Sequence, residues 1–154
     1  MIGAATFLET FAGQIAGDAL LTHCVVQHAP HTYHQYLARG ARAWLAELDG
    51  APIGYALLCK PELDAAEISD VELKRIYLLS RFHGSGVAER LLDAALLAAR
   101  ASNRLMLGVK ADNTRAIAFY RKHGFQQIST RRFDVGGTMY DDTVMARLMV
   151  EETG

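Results

Sequence analysis

The segment between Val71 and Arg100 most constrains how this chain can fold. It opens with a mostly apolar run, Val71–Leu79, which is typical of a central strand covered on both faces. Gly84 and Gly86 then lie in a short turn, and an amphipathic helix is predicted from about Gly86 to Arg100. A strand, a glycine turn and a helix in this order predict an α/β layered domain.

The rest of the chain extends this prediction to a single domain over all 154 residues, with no dividing linker. Apolar residues recur at helical spacing in the N-terminal third, and a proline fits the first turn of a third helix. The period then changes to that of strands, with Asp49-Gly50 as a hairpin turn. Two of the predicted helices bury the apolar faces Phe7/Leu8/Phe11 and Leu20/Leu21/Cys24/Val25, and the third covers Pro30–Leu37. The further predicted strands are Ala43–Leu48, Ile53–Cys59, Leu105–Val109, Phe125–Phe133 and Thr143–Met149. The last two strands are joined around Gly136-Gly137.

Composition and charge exclude several classes of partner. The net charge is −1 and no basic stripe is present, so no nucleic-acid partner is expected. The longest apolar stretch, Val87–Ala99, is interrupted by charged residues, which predicts no membrane span. Cys24 and Cys59 lie far apart in no metal-binding or redox motif, and no signal peptide is seen. Both thiols are therefore expected to be reduced, in the cytoplasm.

The turn His83–Ala88 is a candidate anion site. Glycines without Cβ atoms let the backbone approach a ligand closely, and the following helix begins with unpaired N–H groups at its positive dipole end. Together these features suit a diphosphate. The same pattern also occurs in plain strand-to-helix connections, so the turn alone leaves both interpretations open.

A second segment, Asn113–Phe125, reads Asn-Thr-Arg-Ala-Ile-Ala-Phe-Tyr-Arg-Lys-His-Gly-Phe. Asn113 suits a helix N-cap, and Gly124 suits the end of that helix at His123. This segment resembles the signature of the GCN5-related N-acetyltransferase (GNAT) family, and His83–Ala88 resembles that family's Gln/Arg-x-x-Gly-x-Gly/Ala motif with a departure at His83. The resemblance implies a mixed, mostly antiparallel, twisted sheet with helices on both faces and splayed central strands.

The resemblance also implies acetyl-CoA as the acetyl donor and a set of site residues. Tyr120 would protonate the departing thiolate, although its position also suits a core tyrosine. Glu72 would act as base, or is simply a carboxylate of an acidic loop. Asn113 would contact CoA, cap its helix, or do both. The backbone around the end of the central strand would bind the pantetheine arm and the turn would bind the diphosphate, through Leu78, Leu79, Ser80, His83, Gly84, Ser85, Gly86, Val87 and Ala88.

A narrower likeness concerns the acceptor. From about Ala4 to Met149 the chain resembles the Pai-type polyamine N-acetyltransferases, including the strings Ala5–Phe11 and Glu72–Tyr77. This implies a primary amine acceptor, such as a polyamine or another small cation. Five carboxylates in and beside the loop after Lys60 could attract such a cation, or could simply keep the loop solvated: Glu62, Asp64, Glu67, Asp70 and Glu72. A protein or peptide acceptor and a non-catalytic acyl-CoA sensor stay open as alternatives.

Family members usually carry a strand ahead of the position of Ala4, whereas this chain starts at Met1. We therefore expect either that the start codon has been placed too late in this sequence or that the sheet lacks that first strand. In the second case an open edge would be covered by a partner chain or a rearranged N-terminus, in keeping with a homodimer.

Three histidines recur at every third position, but no metal site is expected from them. Pro30 interrupts the helix that would align His28, His31 and His34, and no Asp or Cys completes a ligand set.

Overall fold

The computed structural model describes residues 1–149, in which a six-stranded sheet is flanked by helices. The predicted order of elements is confirmed. The helices are α1 (Ile2–Phe11), α2 (Gly17–Gln27), α3 (Pro30–Ala38), α4 (Val87–Ala99) and α5 (Thr114–Lys122), and a short 3₁₀ turn covers Ser80–Phe82. The strands are β1 (Arg42–Leu48), β2 (Ala51–Cys59), β3 (Val71–Leu78), β4 (Arg104–Lys110), β5 (Gln126–Val135) and β6 (Thr138–Leu148).

The strands follow the order β1-β2-β3-β4-β6-β5. Only β3 and β4 run parallel, because α4 carries the chain back between them, and the other neighbours are antiparallel. The mixed, mostly antiparallel sheet expected from the sequence is thus confirmed.

The two central strands diverge. β3 and β4 pair only at Val71 with Leu105 and at Glu72 with Met106, so a gap opens between their carboxyl-terminal halves. On its other side β3 carries a bulge, since Leu73 pairs with Leu58 and Arg75 with Leu57, which leaves Lys74 as the extra residue. A bulge bends a strand and increases its twist, which favours this divergence.

The bulge also shifts the alternation of side chains along β3 by one residue, so that odd-numbered side chains lie on opposite faces of the sheet before and after it. Leu73, before it, packs in the core that α4 and α5 cover, together with the fully buried Leu92 and Leu105. Tyr77, after it, packs on the opposite face against the core formed by α1 and α2, which includes Phe7 and Phe11. The gap between β3 and β4 therefore lies between two packed layers.

Three predicted details are wrong. β6 begins at Thr138 and not at Thr143, because the tight turn at Gly136-Gly137 lets the two strands pair immediately. On α1, Leu8 is 41% exposed while Phe7 and Phe11 are buried. On α2, Leu21 and Val25 are 58% and 73% exposed, since only the side with Leu20 and Cys24 faces α1 and the sheet.

Candidate active site

The gap beside β3 exposes backbone groups for a ligand. Leu79 donates its N–H to the Ile53 carbonyl at 2.9 Å, which directs the backbone of Leu79 toward β2. Successive residues of a strand point their backbone groups to opposite sides, so the N–H and C=O of Leu78 point into the gap. An extended ligand chain lying in the gap could pair with them as another strand would.

Two side chains fix the end of β3. His83 lies with Nε2 2.9 Å from the Leu78 carbonyl oxygen, a contact that requires the proton on Nε2. Glu9 of α1 accepts hydrogen bonds from the Ser80 N–H, at 3.0 Å, and from the Ser80 hydroxyl. These bonds hold the pKa of Glu9 below its ordinary value, with a smaller contribution from the charge of His83. The backbone N–H of Ser80, expected to bind the pantetheine arm, is therefore already engaged by Glu9.

The turn from His83 to Ala88 needs its glycines for conformation and not for space. Gly84 and Gly86 have φ angles of 81° and 88°, while a Cβ built on either would meet nothing within 4 Å. Gly86 is the N-cap of α4, and the Ser85 hydroxyl accepts from the Val87 N–H at 3.4 Å. Left-handed glycines and the unpaired first-turn amides of a helix form an open anion cradle.

Tyr120 lies in the hydrophobic core. It is 8% exposed and packs edge-on against Phe119 and Phe125, in the core under α4 and α5. Burial raises its pKa, and the nearby Tyr77 raises it further. Burial also raises the pKa of Tyr77, to about 12. Both phenols therefore stay protonated at neutral pH, where they can act as proton donors.

Glu72 is a buried carboxylate and not a loop side chain. It is 1% exposed, one oxygen accepts from the Glu62 N–H at 2.8 Å, and the other lies 3.8 Å from Lys74 Nζ. It lies where β3 and β4 are still paired, six residues before Leu78, or about 20 Å along an extended strand. Its observed contacts anchor the loop to the sheet.

Asn113 caps α5 as expected. Its side-chain oxygen accepts from the Ala116 N–H at 3.2 Å. The oxygen is committed to the cap, and the amide nitrogen of the same side chain remains as a donor.

The acidic loop is largely neutralised by its own neighbours. Glu62 forms an ion pair with Lys74 at 2.8 Å, and Asp70 forms one with Arg104 at 2.7 Å. The Asp70 side chain is fully buried, and its pKa lies below its ordinary value because hydrogen bonds and charge from Arg104 outweigh the opposing effect of burial. Of the five acidic residues, Glu62, Asp64 and Glu67 are exposed, but Glu62 is paired with Lys74 and Glu67 lies 3.9 Å from Arg104, which weakens the attraction of a cation to this loop.

Three residues near the gap were missed by the sequence analysis. Glu9 is on α1, 71 residues before the Ser80 that it binds. Tyr77 lay within an apolar run and gave no separate signal. Asp142 is 5% exposed on β6, where it forms an ion pair with Arg131 of β5 at 3.0 Å. Nothing in the local sequence distinguishes these two carboxylates from surface ones.

The three histidines at every third position do not converge. His28 is buried, with Nδ1 2.8 Å from the Tyr33 hydroxyl, whereas His31 and His34 are exposed on α3. Within residues 1–149 no group of three or more His, Cys, Asp or Glu side chains could hold a metal ion. In the same range no helix is long and apolar enough to cross a membrane.

Comparisons with known proteins agree with this geometry. The acetyltransferase (GNAT) family model matches residues 9–125. Uncharacterised N-acetyltransferases of Mycobacterium bovis and Mycobacterium tuberculosis are each 34% identical over 152 residues, which cover 97% of this chain and 94% of each relative.

Solved structures show the same fold. The PaiA N-acetyltransferase of Thermoplasma acidophilum, in complex with coenzyme A, superposes with a TM-score of 0.75 at 19% identity, over 96% of this chain and 88% of that one. The ribosomal-protein-S18-alanine N-acetyltransferase of Escherichia coli superposes with a TM-score of 0.67 at 18% identity, over 99% and 92% of the two chains.

Proposed function

Because this chain belongs to the acetyltransferase (GNAT) family, we propose that it transfers an acetyl group to a primary amine of a small cationic acceptor, by direct transfer in a ternary complex. The family makes the protein an enzyme and acetyl-CoA its acetyl donor. The observation that supports this acetyl transfer best is the gap between β3 and β4, which opens beyond Glu72 and Met106. The glycine turn follows the end of β3, and Tyr120 keeps its proton at neutral pH because burial raises its pKa.

The expected binding mode follows from the backbone groups around the gap. The C=O of Leu78 would accept from an amide of the pantetheine arm with one lone pair, while His83 contacts the other, which leaves the Leu78 N–H for the thioester oxygen. Leu79 and Ser80 would line the arm at the end of the strand. The turn from His83 to Ala88 would hold the diphosphate on its N–H groups, and the Asn113 amide would donate to the arm or the diphosphate.

Acetyl transfer needs a hydrogen-bond donor at the thioester oxygen and a proton donor at the thioester sulfur, because both atoms gain negative charge during the reaction. The Leu78 N–H would stabilise negative charge developing on the thioester oxygen. The amine nitrogen forms the new C–N bond, the C–S bond breaks, and Tyr120 gives its proton to the departing thiolate. Because the pKa of Tyr120 is raised, the phenol carries its proton at neutral pH. For the same reason it gives up the proton only when negative charge has built up on the sulfur.

The ammonium of the acceptor must also lose a proton. Glu72 is the base that the family resemblance implies, and we retain it as a candidate acting through water. Its contacts with the Glu62 N–H and with Lys74, at the closed end of the gap, argue against direct contact with the amine.

Two further properties belong to this proposal. We place the enzyme in the cytoplasm, since Cys24 and Cys59 are both free and burial raises the pKa of each thiol, which leaves them unreactive. We also propose a homodimer, because β1 has a neighbour on one side only among the described strands. An edge strand of this kind readily pairs with another chain.

The decisive experiment incubates the protein with acetyl-CoA and each of spermidine, spermine, a simple alkylamine and a lysine peptide, and measures release of CoA thiol. Transfer to the small amines but not to the peptide is expected. Tyr120→Phe should lower kcat by about 10²-fold or more while the Kd for acetyl-CoA stays unchanged, because the phenol acts only as the thiolate leaves.

The other outcomes assign the alternatives. Transfer to the peptide alone would make the protein a peptide N-acetyltransferase. Tight acetyl-CoA binding without turnover on any amine would make it a sensor and overturn the proposal.

A further inference from the structure

Asp142 is a buried carboxylate on β6, the strand next to β4, and one of its two oxygens has no hydrogen-bond donor among residues 1–149. Its side chain is 6% exposed. On β6 it pairs with Lys110 of β4 and with Arg131 of β5. It shares a face with Val144 and Ala146, which pack with Met106 on the side of the sheet that α1 covers. This is the face that Tyr77 also meets.

A glycine makes room for this carboxylate. Gly108 of β4 lies beneath it, and a Cβ there would come within 3.2 Å of both Asp142 Oδ2 and Arg131 Nη2. Any other residue at Gly108 would press against the ion pair. The sheet therefore keeps a recess over β4, and the carboxylate lies in it.

One oxygen of Asp142 is occupied and the other is not. The contacts from Arg131 Nε and Nη2, both at 3.0 Å, end on Oδ2. Within the described part of the chain no hydrogen-bond donor reaches Oδ1, and Oδ1 is not among the fully enclosed unpaired atoms. A carboxylate oxygen that no protein donor engages keeps its lone pairs for water or a ligand, so Oδ1 is suited to accept from a ligand.

The carboxylate lies on the strand beside the open half of β4. Asp142 pairs with Lys110, four residues beyond Met106, which is the last residue of β4 that pairs with β3. β6 therefore runs beside the part of β4 that borders the gap. The charge of Asp142 raises the pKa of Tyr77 on β3, and the charge of Lys74 opposes the effect of burial on the pKa of Asp142.

We infer that Asp142 is the residue that binds the acceptor ammonium, through Oδ1, and takes its proton before the amine attacks. The inference rests on the proposed acetyl transfer to an amine and names the acceptor site of that reaction. In the step, an N–H bond of the ammonium breaks, the proton moves to Oδ1, and the nitrogen lone pair becomes free for the thioester carbon. Arg131 holds the other oxygen and so fixes the direction of the open one.

The electrostatics suit a base. Burial raises the pKa of Asp142 above its ordinary value, against the opposing charges of Arg131, Lys74 and Lys110. Of those three cations only Arg131 contacts the carboxylate, and Asp142 in turn raises the pKa of the Tyr77 phenol. Lys110 is held by Asp112 at 2.7 Å and Lys74 by Glu62 at 2.8 Å, so their ammonium groups are turned to other carboxylates.

The test compares Asp142→Asn with Asp141→Asn. Asp141 forms an exposed pair with Arg132 at the neighbouring position of the same strands and is 71% exposed, which makes it a matched control. For an alkylamine, D142N should lower kcat/KM by about 10²–10³-fold and remove the acidic limb of the pH profile, while D141N should stay within about twofold of the wild type. For hydroxylamine, which is uncharged under mildly alkaline conditions, D142N should lose far less, because no proton has to be removed.

Each other result has a definite meaning. Equal loss for both acceptors, or wild-type kinetics in D142N, overturns the inference, as does the alkylamine-selective loss appearing in Glu72→Gln instead. A wild-type protein that acetylates no amine refutes the proposed function, and this inference with it, whereas an active wild type with an unaffected D142N refutes the inference alone. If D142N does not fold, wild-type inhibition by a quaternary alkylammonium is compared with inhibition by its uncharged isostere; preference for the cation supports the ammonium site, and equal inhibition rejects it.

Discussion

His28 ends a buried chain of hydrogen bonds between the helices and the sheet. The Tyr55 hydroxyl lies 2.8 Å from that of Tyr33, which lies 2.8 Å from His28 Nδ1. His28 is 5% exposed, and burial, together with the charge of Arg75, lowers its pKa to about 3 from an ordinary 6.5. The folded protein therefore holds this imidazole neutral.

This makes stability depend on pH with a defined sign. Below pH 6.5 the unfolded chain binds a proton at His28 that the folded chain refuses, so stability is complete above 6.5 and falls as pH drops toward 3. The loss approaches about 1.4 kcal/mol per pH unit, or about 2 kcal/mol between pH 7 and pH 5. His23, whose pKa burial also lowers, adds to the loss with the same sign.

Urea unfolding at the two pH values checks this. His28→Gln keeps a polar partner for Tyr33 and removes the titrating group. Between pH 7 and pH 5 the free energy of unfolding of this variant should therefore fall by about 2 kcal/mol less than that of the wild type. His34→Gln, at an exposed position on α3, should behave as the wild type. The same pH dependence in H28Q and wild type would show that His28 is not the titrating group.

Single residues were predictable from sequence where local chemistry decides their role. Asn113 and Gly124 could be assigned because a helix cap and a left-handed helix end depend on neighbours a few residues away. Glu9 and Asp142 could not, because their partners lie on other elements. A carboxylate becomes buried and directional only once packing has placed it.

At the level of elements, the turn before α4 offers a test that separates backbone conformation from packing. Gly86 has a φ of 88°, and a Cβ there would meet open space. Gly86→Ala should therefore cost about 1–2 kcal/mol through backbone strain alone. Because relief of the strain would turn the cradle N–H groups, acetyl-CoA binding measured by calorimetry should weaken by about tenfold.

Gly40 provides the control for this substitution. It has a φ of 92° with equally open space, in the turn that follows α3. Gly40→Ala should lower the melting temperature to a similar degree and leave the Kd for acetyl-CoA unchanged. Equal effects of the two variants on the Kd would remove the turn from the binding site.

The elements also show where sequence patterns stop being informative. The helices and strands were predictable because their period follows the face that they bury. The bulge at Lys74 was not, because Glu72, Lys74 and Arg75 interrupt the apolar pattern of this strand without showing which residue the partner strand leaves unpaired. Yet this bulge places Tyr77 against α1 and accompanies the gap on which the candidate site depends.

For the whole molecule, the open edge of the sheet at β1 is one of two edges, at β1 and β5, that one chain leaves unpaired among its described strands. The Leu79 to Ile53 bond fixes the alternation along β2, so Ala56 and its partner Trp44 direct backbone groups toward each other. Leu45 then directs its N–H and C=O outward, and its side chain is 54% exposed. A second copy could pair there and continue the sheet.

Leu45→Pro tests this arrangement because it removes an outward N–H without breaking the ladder between β1 and β2. If the protein dimerises through this edge, light scattering should report a dimer for the wild type and a monomer for L45P, with an unchanged far-ultraviolet circular dichroism spectrum. Val25→Lys, on the other large exposed apolar surface and 73% exposed, is the control. Dissociation by V25K with an intact L45P dimer would move the interface to α2, and a monomeric wild type would reject the homodimer.

Since the gap between β3 and β4 lies two strands from this edge, the L45P monomer should keep its affinity for acetyl-CoA.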